Sequence, residues 1–163
     1  ASKTFNYGPI IFLYYFSISD IDGHFENYFE ILSFNIQLII IYFWVLKKQS
    51  LLGNGHIFLA GLINDVMLGF PLGLSSLTFL IVSLIAAYVK NMSVNSSLVS
   101  EWFTFFIAIV FSNLISLILL SNFSNTQISF TEMSYNTFFT LLFFPFFWLI
   151  FSYYNSLLGN KNV

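Results

Sequence analysis

The chain has 163 residues, of which 58% are hydrophobic and 7% charged, and its formal net charge is −2. Soluble domains carry roughly 25% charged residues, so the few lysines and carboxylates present cannot clothe a water-facing surface, and lipid is the solvent that removes the need for one. The absence of cysteine excludes disulfides and thiolate metal sites, and the absence of arginine argues against phosphate or nucleic-acid recognition.

A spanning helix needs about 20 mainly apolar residues, and six stretches approach that length. The first, 5–19, is short and contains Pro9. Lys3 ahead of a short apolar run also has the pattern of a signal peptide. Ser17-Ile18-Ser19 is a poor cleavage site, which favours a retained helix, and the short span leaves room for native residues ahead of Ala1. The second stretch, 29–46, ends in Trp44-Val45-Leu46. The third, 56–70, and the fourth, 72–89, are separated by Pro71. The fifth is 98–120 and the sixth, holding Pro145, is 135–154. Pro145 is expected to kink its helix, with neighbours repairing the freed carbonyl. No series of segments alternates with the period of a barrel strand. The expected fold is therefore an all-α integral membrane protein, a single bundle of about six transmembrane helices with a short or broken third helix.

The lysines set the orientation. With both termini on one side, Lys3, Lys47, Lys48, Lys90 and Lys161 all fall on the same face. Asp20, Asp22, Glu26, Glu30 and Glu132 lie in the opposite loops, which have no lysine. Lysine near helix ends marks the cytoplasmic side, so both termini are expected there, in a multi-pass cytoplasmic membrane protein. Trp44 and Trp102 are expected as interfacial anchors, while Trp148 lies deeper and serves packing or lipid contact. Three Asn-x-Ser matches, at Asn91, Asn95 and Asn122, are short chance patterns, and the first two fall on the expected cytoplasmic side.

The third and fourth stretches carry the most information. Asp65 is read as the one charged residue inside a predicted span. A carboxylate at a helix centre costs about 2.5–3.5 kcal/mol, and eight apolar neighbours return about 4 kcal/mol. Asn64 and His56 erode that margin, so this helix must be held by its neighbours. Gly61, Asp65 and Gly69 recur every four residues and line one face. Such a face lets another helix backbone come close and points the carboxylate into the bundle. Candidate partners for it are Asn113, Ser112 and Ser116 on the fifth helix, and Ser75, Ser76 and Thr78 on the fourth; the sequence does not choose among them. Pro71, between Gly69 and Gly73, breaks the helix. A helix of about 15 residues reaches roughly 22 Å against a hydrocarbon core of about 30 Å, so it stops short of the far interface or forms one arm of a re-entrant hairpin.

The segment Gly61-Leu-Ile-Asn64-Asp65-Val-Met-Leu-Gly69-Phe-Pro71-Leu-Gly73 resembles the signature of the rod shape-determining MreD family. That family has a glycine, an Asp four residues on, then a Gly and a Leu-Gly pair opening the next helix. It often has a proline where helix two begins, and this chain has Leu32-Ser-Phe-Asn35 there. The resemblance implies a non-enzymatic component of the bacterial inner membrane, without cofactor or metal. It would act in cell elongation and peptidoglycan synthesis beside an MreC-like scaffold, an MreB-like filament, a RodA-like glycosyltransferase and its transpeptidase. It also implies that Gly61, Asn64, Asp65, Gly69, Pro71 and Gly73 form a packing or assembly motif.

The competing function is a substrate-binding membrane subunit of a vitamin-type transporter, since a broken helix with a buried Asp suits a midplane site. Catalysis finds no support. A proton-sharing aspartyl pair needs a second carboxylate, and neither a His-Glu-x-x-His helix nor a Gly-x-Ser-x-Gly elbow is present.

Overall fold

A computed structural model describes residues 7–19, 34–92, 97–123 and 130–159. Among them are six α-helices and no strand: α1 (Gly8–Ile18), α2 (Ile36–Lys48), α3 (Asn54–Leu68), α4 (Leu74–Met92), α5 (Leu98–Phe123) and α6 (Phe130–Gly159), with a 3₁₀ turn, Gln49–Leu51, between α2 and α3. Lys3, Lys161, Asp20, Asp22, Glu26 and Glu30 lie outside the described residues.

Local chemistry explains several helix ends. Pro9 falls in the first turn of α1, where its missing N–H costs nothing. Asn35 caps α2, its Oδ1 accepting from Leu38 N–H at 3.3 Å. The helix therefore begins at Ile36, seven residues later than the apolar run suggests. Lys47 and Lys48 close α2, where cations complement the carbonyl end of the dipole. By length and composition α4, α5 and α6 are each able to cross a bilayer, and α1 is a shorter apolar helix.

α2 is the centre of the bundle. Its residues from Leu38 to Leu46 are all buried, as expected for a helix that is apolar on every side. This corrects the expectation for Trp44. It is not an interfacial anchor but is 1% exposed, packed edge-on against Phe43 and Tyr154. α6 lies against α2 through Phe43, Trp148 and Phe151, and against α5 through stacked Phe105 and Phe144, 4.3 Å between centroids. On the outer faces of α5 and α6, Phe103, Phe111, Ile118, Phe138, Phe146 and Leu149 are exposed, an apolar belt suited to lipid.

α3 and α4 form an antiparallel hairpin. Gly61 meets Ser76 at one level, and Ser83 Oγ–H donates to Asn54 Oδ1 at another. α4 thus carries Lys90, in its last turn, back toward the end at which Lys47 and Lys48 close α2.

Candidate functional site

The site is the hairpin between α3 and α4, and it begins with the way α3 stops. Gly69 adopts a left-handed conformation (φ 67), which a Cβ would penalise. Phe70 N–H then turns back to the Asp65 carbonyl at 2.9 Å, the six-to-one bond of a Schellman end. Gly73 is the second positive-φ residue, at 99°, and brings the chain into α4.

Asp65 fastens this turn from the side-chain end as well. Its carboxylate is fully enclosed. Oδ2 accepts from Gly73 N–H at 2.7 Å and Oδ1 from Ser75 N–H at 2.8 Å. These amides open α4 and have no carbonyl partner within the helix. An acidic side chain at that positive end makes charge-assisted bonds. One residue therefore ends α3 through its carbonyl and starts α4 through its carboxylate.

Asn64, beside it, carries the connection sideways. Its Nδ2 donates to Ser75 Oγ at 3.0 Å, and its Oδ1 accepts from Gln37 Nε2 at 3.3 Å. The same Gln37 nitrogen donates to the Phe16 carbonyl at 2.8 Å. This polar relay joins α4, α3, α2 and α1 inside an otherwise apolar bundle. A cleft of about 40 Å³ adjoins it, lined by Ser17, Asn35, Gln37 and Asn64 among others.

Gly61 supplies the close approach. A Cβ placed there would run into the Cα, N and Oγ of Ser76, so the two helices touch at backbone level. Ser76 Oγ–H donates to the Phe58 carbonyl at 2.9 Å across the same crossing. Gly69 shares the face in sequence but not the role. A Cβ there would meet nothing within 4 Å, and its contribution is the backbone turn. Pro71 accepts from Leu74 N–H at 3.2 Å.

Of the six side chains considered for Asp65, Ser75 alone reaches it, and through its backbone. The helix start offers better-placed donors than any hydroxyl, and the hydroxyls are engaged elsewhere. Thr78 Oγ1 lies 2.8 Å from Ser116 Oγ, Ser112 donates to the Thr78 carbonyl at 3.4 Å, and Asn113 Nδ2 donates to Thr137 Oγ1 at 2.7 Å. These contacts tie α4 to α5 and α5 to α6.

A second polar cluster corrects the reading of Asp65 as the one charged residue inside a span. Glu101, in the first turn of α5, is 1% exposed. It pairs with Lys47 and accepts from Trp148 Nε1–H. The Lys47 ammonium also stands 5.8 Å from the Trp148 ring centroid. One turn along α5, Thr104 bonds the Tyr42 hydroxyl. Lys47 therefore has a partner within the bundle. The signal for this cluster was present, since Glu101 lies inside the apolar stretch 98–120. Gln37 had a similar signal, as an amide set directly ahead of the unbroken apolar run 38–46.

His56, at the start of α3, lies with its Nδ1 3.2 Å from the Tyr14 hydroxyl. Among the described residues no three His, Cys, Asp or Glu side chains stand close enough to hold a metal ion. The arrangement fixes helices relative to one another.

No curated protein and no solved structure matches the chain. The family model for rod shape-determining protein MreD matches residues 3–155, a span that contains the whole Asp65 hairpin and the Glu101 cluster. The chain belongs to the rod shape-determining protein MreD family.

Proposed function

We propose that this rod-shape-determining membrane protein is a non-enzymatic scaffold of the bacterial cell-elongation machinery, on which an MreC-like bitopic protein docks. An MreB-like filament, a RodA-like glycosyltransferase and its transpeptidase complete the assembly. It would sit in the inner membrane with both termini cytoplasmic, following the positive-inside rule.

The observation that carries this reading is how fully Asp65 is engaged. Both of its oxygens bind the backbone of the next helix at 2.7 and 2.8 Å, which suits a structural fastening better than a site that handles a solute or a proton. The polar cleft beside it, about 40 Å³, is far below the roughly 300–1,000 Å³ of small-molecule sites. The clefts that reach that size, about 350 and 540 Å³ along α5 and α6, lie away from Asp65 and are lined without any charged side chain, which favours the scaffold over the vitamin-type transporter.

Three experiments test the proposal. Depleting the protein in its host should round the cells; a nutrient requirement with normal shape would overturn it in favour of transport. Asp65→Leu should reduce co-purification of the MreC-like scaffold. Undiminished recovery of a normally folded complex would remove the assembly role given to Asp65. A reporter fused after Val163 should read as cytoplasmic.

A further inference from the structure

The turn between α3 and α4 has an unusual composition for an exposed loop. From Val66 to Leu74 it reads Val-Met-Leu-Gly-Phe-Pro-Leu-Gly-Leu, without one polar side chain. Its side chains nevertheless stand clear of the protein: Val66 is 67% exposed, Phe70 44% and Leu72 73%. A turn bathed in water normally shows polar side chains and leaves its amides to solvent. Here Phe70 N–H goes to the Asp65 carbonyl, Gly73 and Ser75 N–H to its carboxylate, and Leu74 N–H to Pro71, while Pro71 has no N–H; Leu72 N–H is the one amide from Phe70 to Ser75 outside this set. A turn that satisfies most of its donors internally is closer to what hydrocarbon demands of a backbone than to a loop left to water.

Length points the same way. α3 has 15 residues, about 22 Å at 1.5 Å per residue. Along α4, Leu74 stands about 24 Å from Lys90, the cation of its last turn. α3 falls short of a hydrocarbon core of about 30 Å, and so does the stretch of α4 from Leu74 to Lys90, although the whole 19-residue helix is long enough to cross.

We propose that this turn is a membrane-embedded tip, seated among the acyl chains of the leaflet opposite the lysines, and that Asp65 is the residue that keeps it dry. The tip draws the lipid surface inward beside α3, because a short apolar element is matched by local thinning of the bilayer. Its occupant is phospholipid acyl chain, since the exposed side chains offer contact area and no polar group to recognise.

The chain has no cysteine, so single-cysteine variants report cleanly. Leu72→Cys is labelled with an environment-sensitive nitrobenzoxadiazole (NBD) fluorophore in detergent and returned to dioleoyl-phosphatidylcholine nanodiscs. Asn122→Cys, at the polar end of α5, is the reference. The probe at position 72 should emit to the blue of the probe at 122. It should be quenched by lipids with a nitroxide on the acyl chain and be insensitive to aqueous iodide. Iodide quenching equal to that at 122 would overturn the proposal. If nanodiscs show iodide quenching while native membranes protect the site, a protein partner covers the tip, and the assignment to lipid fails. Adding Asp65→Asn, which removes one acceptor oxygen, should admit water and raise labelling of Leu72→Cys by a charged maleimide about tenfold, given the cost of an unsatisfied buried N–H. An unchanged rate would overturn the role assigned to Asp65. The nanodisc holds only this chain and lipid, so the outcome is independent of whether an MreC-like partner docks.

Discussion

The indole of Trp102 donates to the carbonyl of Leu141 at 2.9 Å, and Leu141 is the residue whose helical donor is missing because Pro145 stands four positions on. A proline inside a helix removes one i to i−4 bond, and within a membrane no water replaces it. α5 supplies the replacement. The backbone bond missing from α6 is thereby turned into a tie between two helices whose outer surfaces are apolar.

Trp102→Phe should therefore destabilise the bundle by about 0.5–1.5 kcal/mol, the usual net worth of one hydrogen bond. Pro145→Ala restores a helical N–H to Leu141, so the double variant should lose less than the two singles added together. Unfolding in mixed detergent micelles, read as a double-mutant cycle, measures the coupling. Strict additivity would disconnect the two residues.

Three glycine positions separate sterics from backbone conformation. Gly61→Ala collides with the Ser76 backbone and should cost about 1–3 kcal/mol. Gly69→Ala has open space but a φ of 67°, and should cost about 1–2 kcal/mol for the left-handed backbone. Gly55→Ala, in the same helix with nothing within 4 Å, should be neutral or stabilise by up to about 1 kcal/mol. A shift in melting temperature of the same sign and size at all three would refute the division.

Gln37 stands at the junction of α1, α2 and α3. Gln37→Leu withdraws the donor from both the Phe16 carbonyl and Asn64 Oδ1, and should lower stability by about 1–3 kcal/mol. Amide hydrogen exchange should rise at the end of α1 before it rises in α5. Exchange increasing evenly along the chain would count against a local tie.

Lys47→Met strips the enclosed Glu101 of its cation. The Lys47 side chain is 25% exposed, so the loss should fall below the roughly 3–5 kcal/mol of a fully buried pair broken on one side, at about 1–3 kcal/mol. Lys47→Met combined with Glu101→Met removes the stranded charge and should recover part of the loss. A double variant less stable than the single would show that Glu101 is held mainly by other contacts.

Much of this architecture could be read before any coordinates. Apolar runs, proline and glycine act locally. The helical class, the short third helix and the break at Gly69-Phe70-Pro71 all follow from the identity of residues a few positions apart. The importance of Asp65 was legible for a similar reason: a carboxylate among Leu, Ile and Val has too few ways to be satisfied to be incidental.

Choosing the partners required the third dimension. Hydropathy says that α2 is apolar but not that five other helices surround it, so Trp44 looked like an anchor when it is core. Periodicity placed Gly61 and Gly69 on one face, yet one is a contact and the other a turn, because Gly69 lies where α3 has already ended. The oxygens of Asp65 could have met any of several hydroxyls. They meet the Gly73 and Ser75 amides because the reversal at Gly69 and Gly73 folds the start of α4 onto them, and unpaired amides at a helix start are stronger donors to a carboxylate than distant serines. Lys47 finds Glu101, 54 positions away in the chain, only because α2 and α5 cross. Local chemistry decides which segments must be helices, whereas the pairing of their polar groups depends on which faces come together in space.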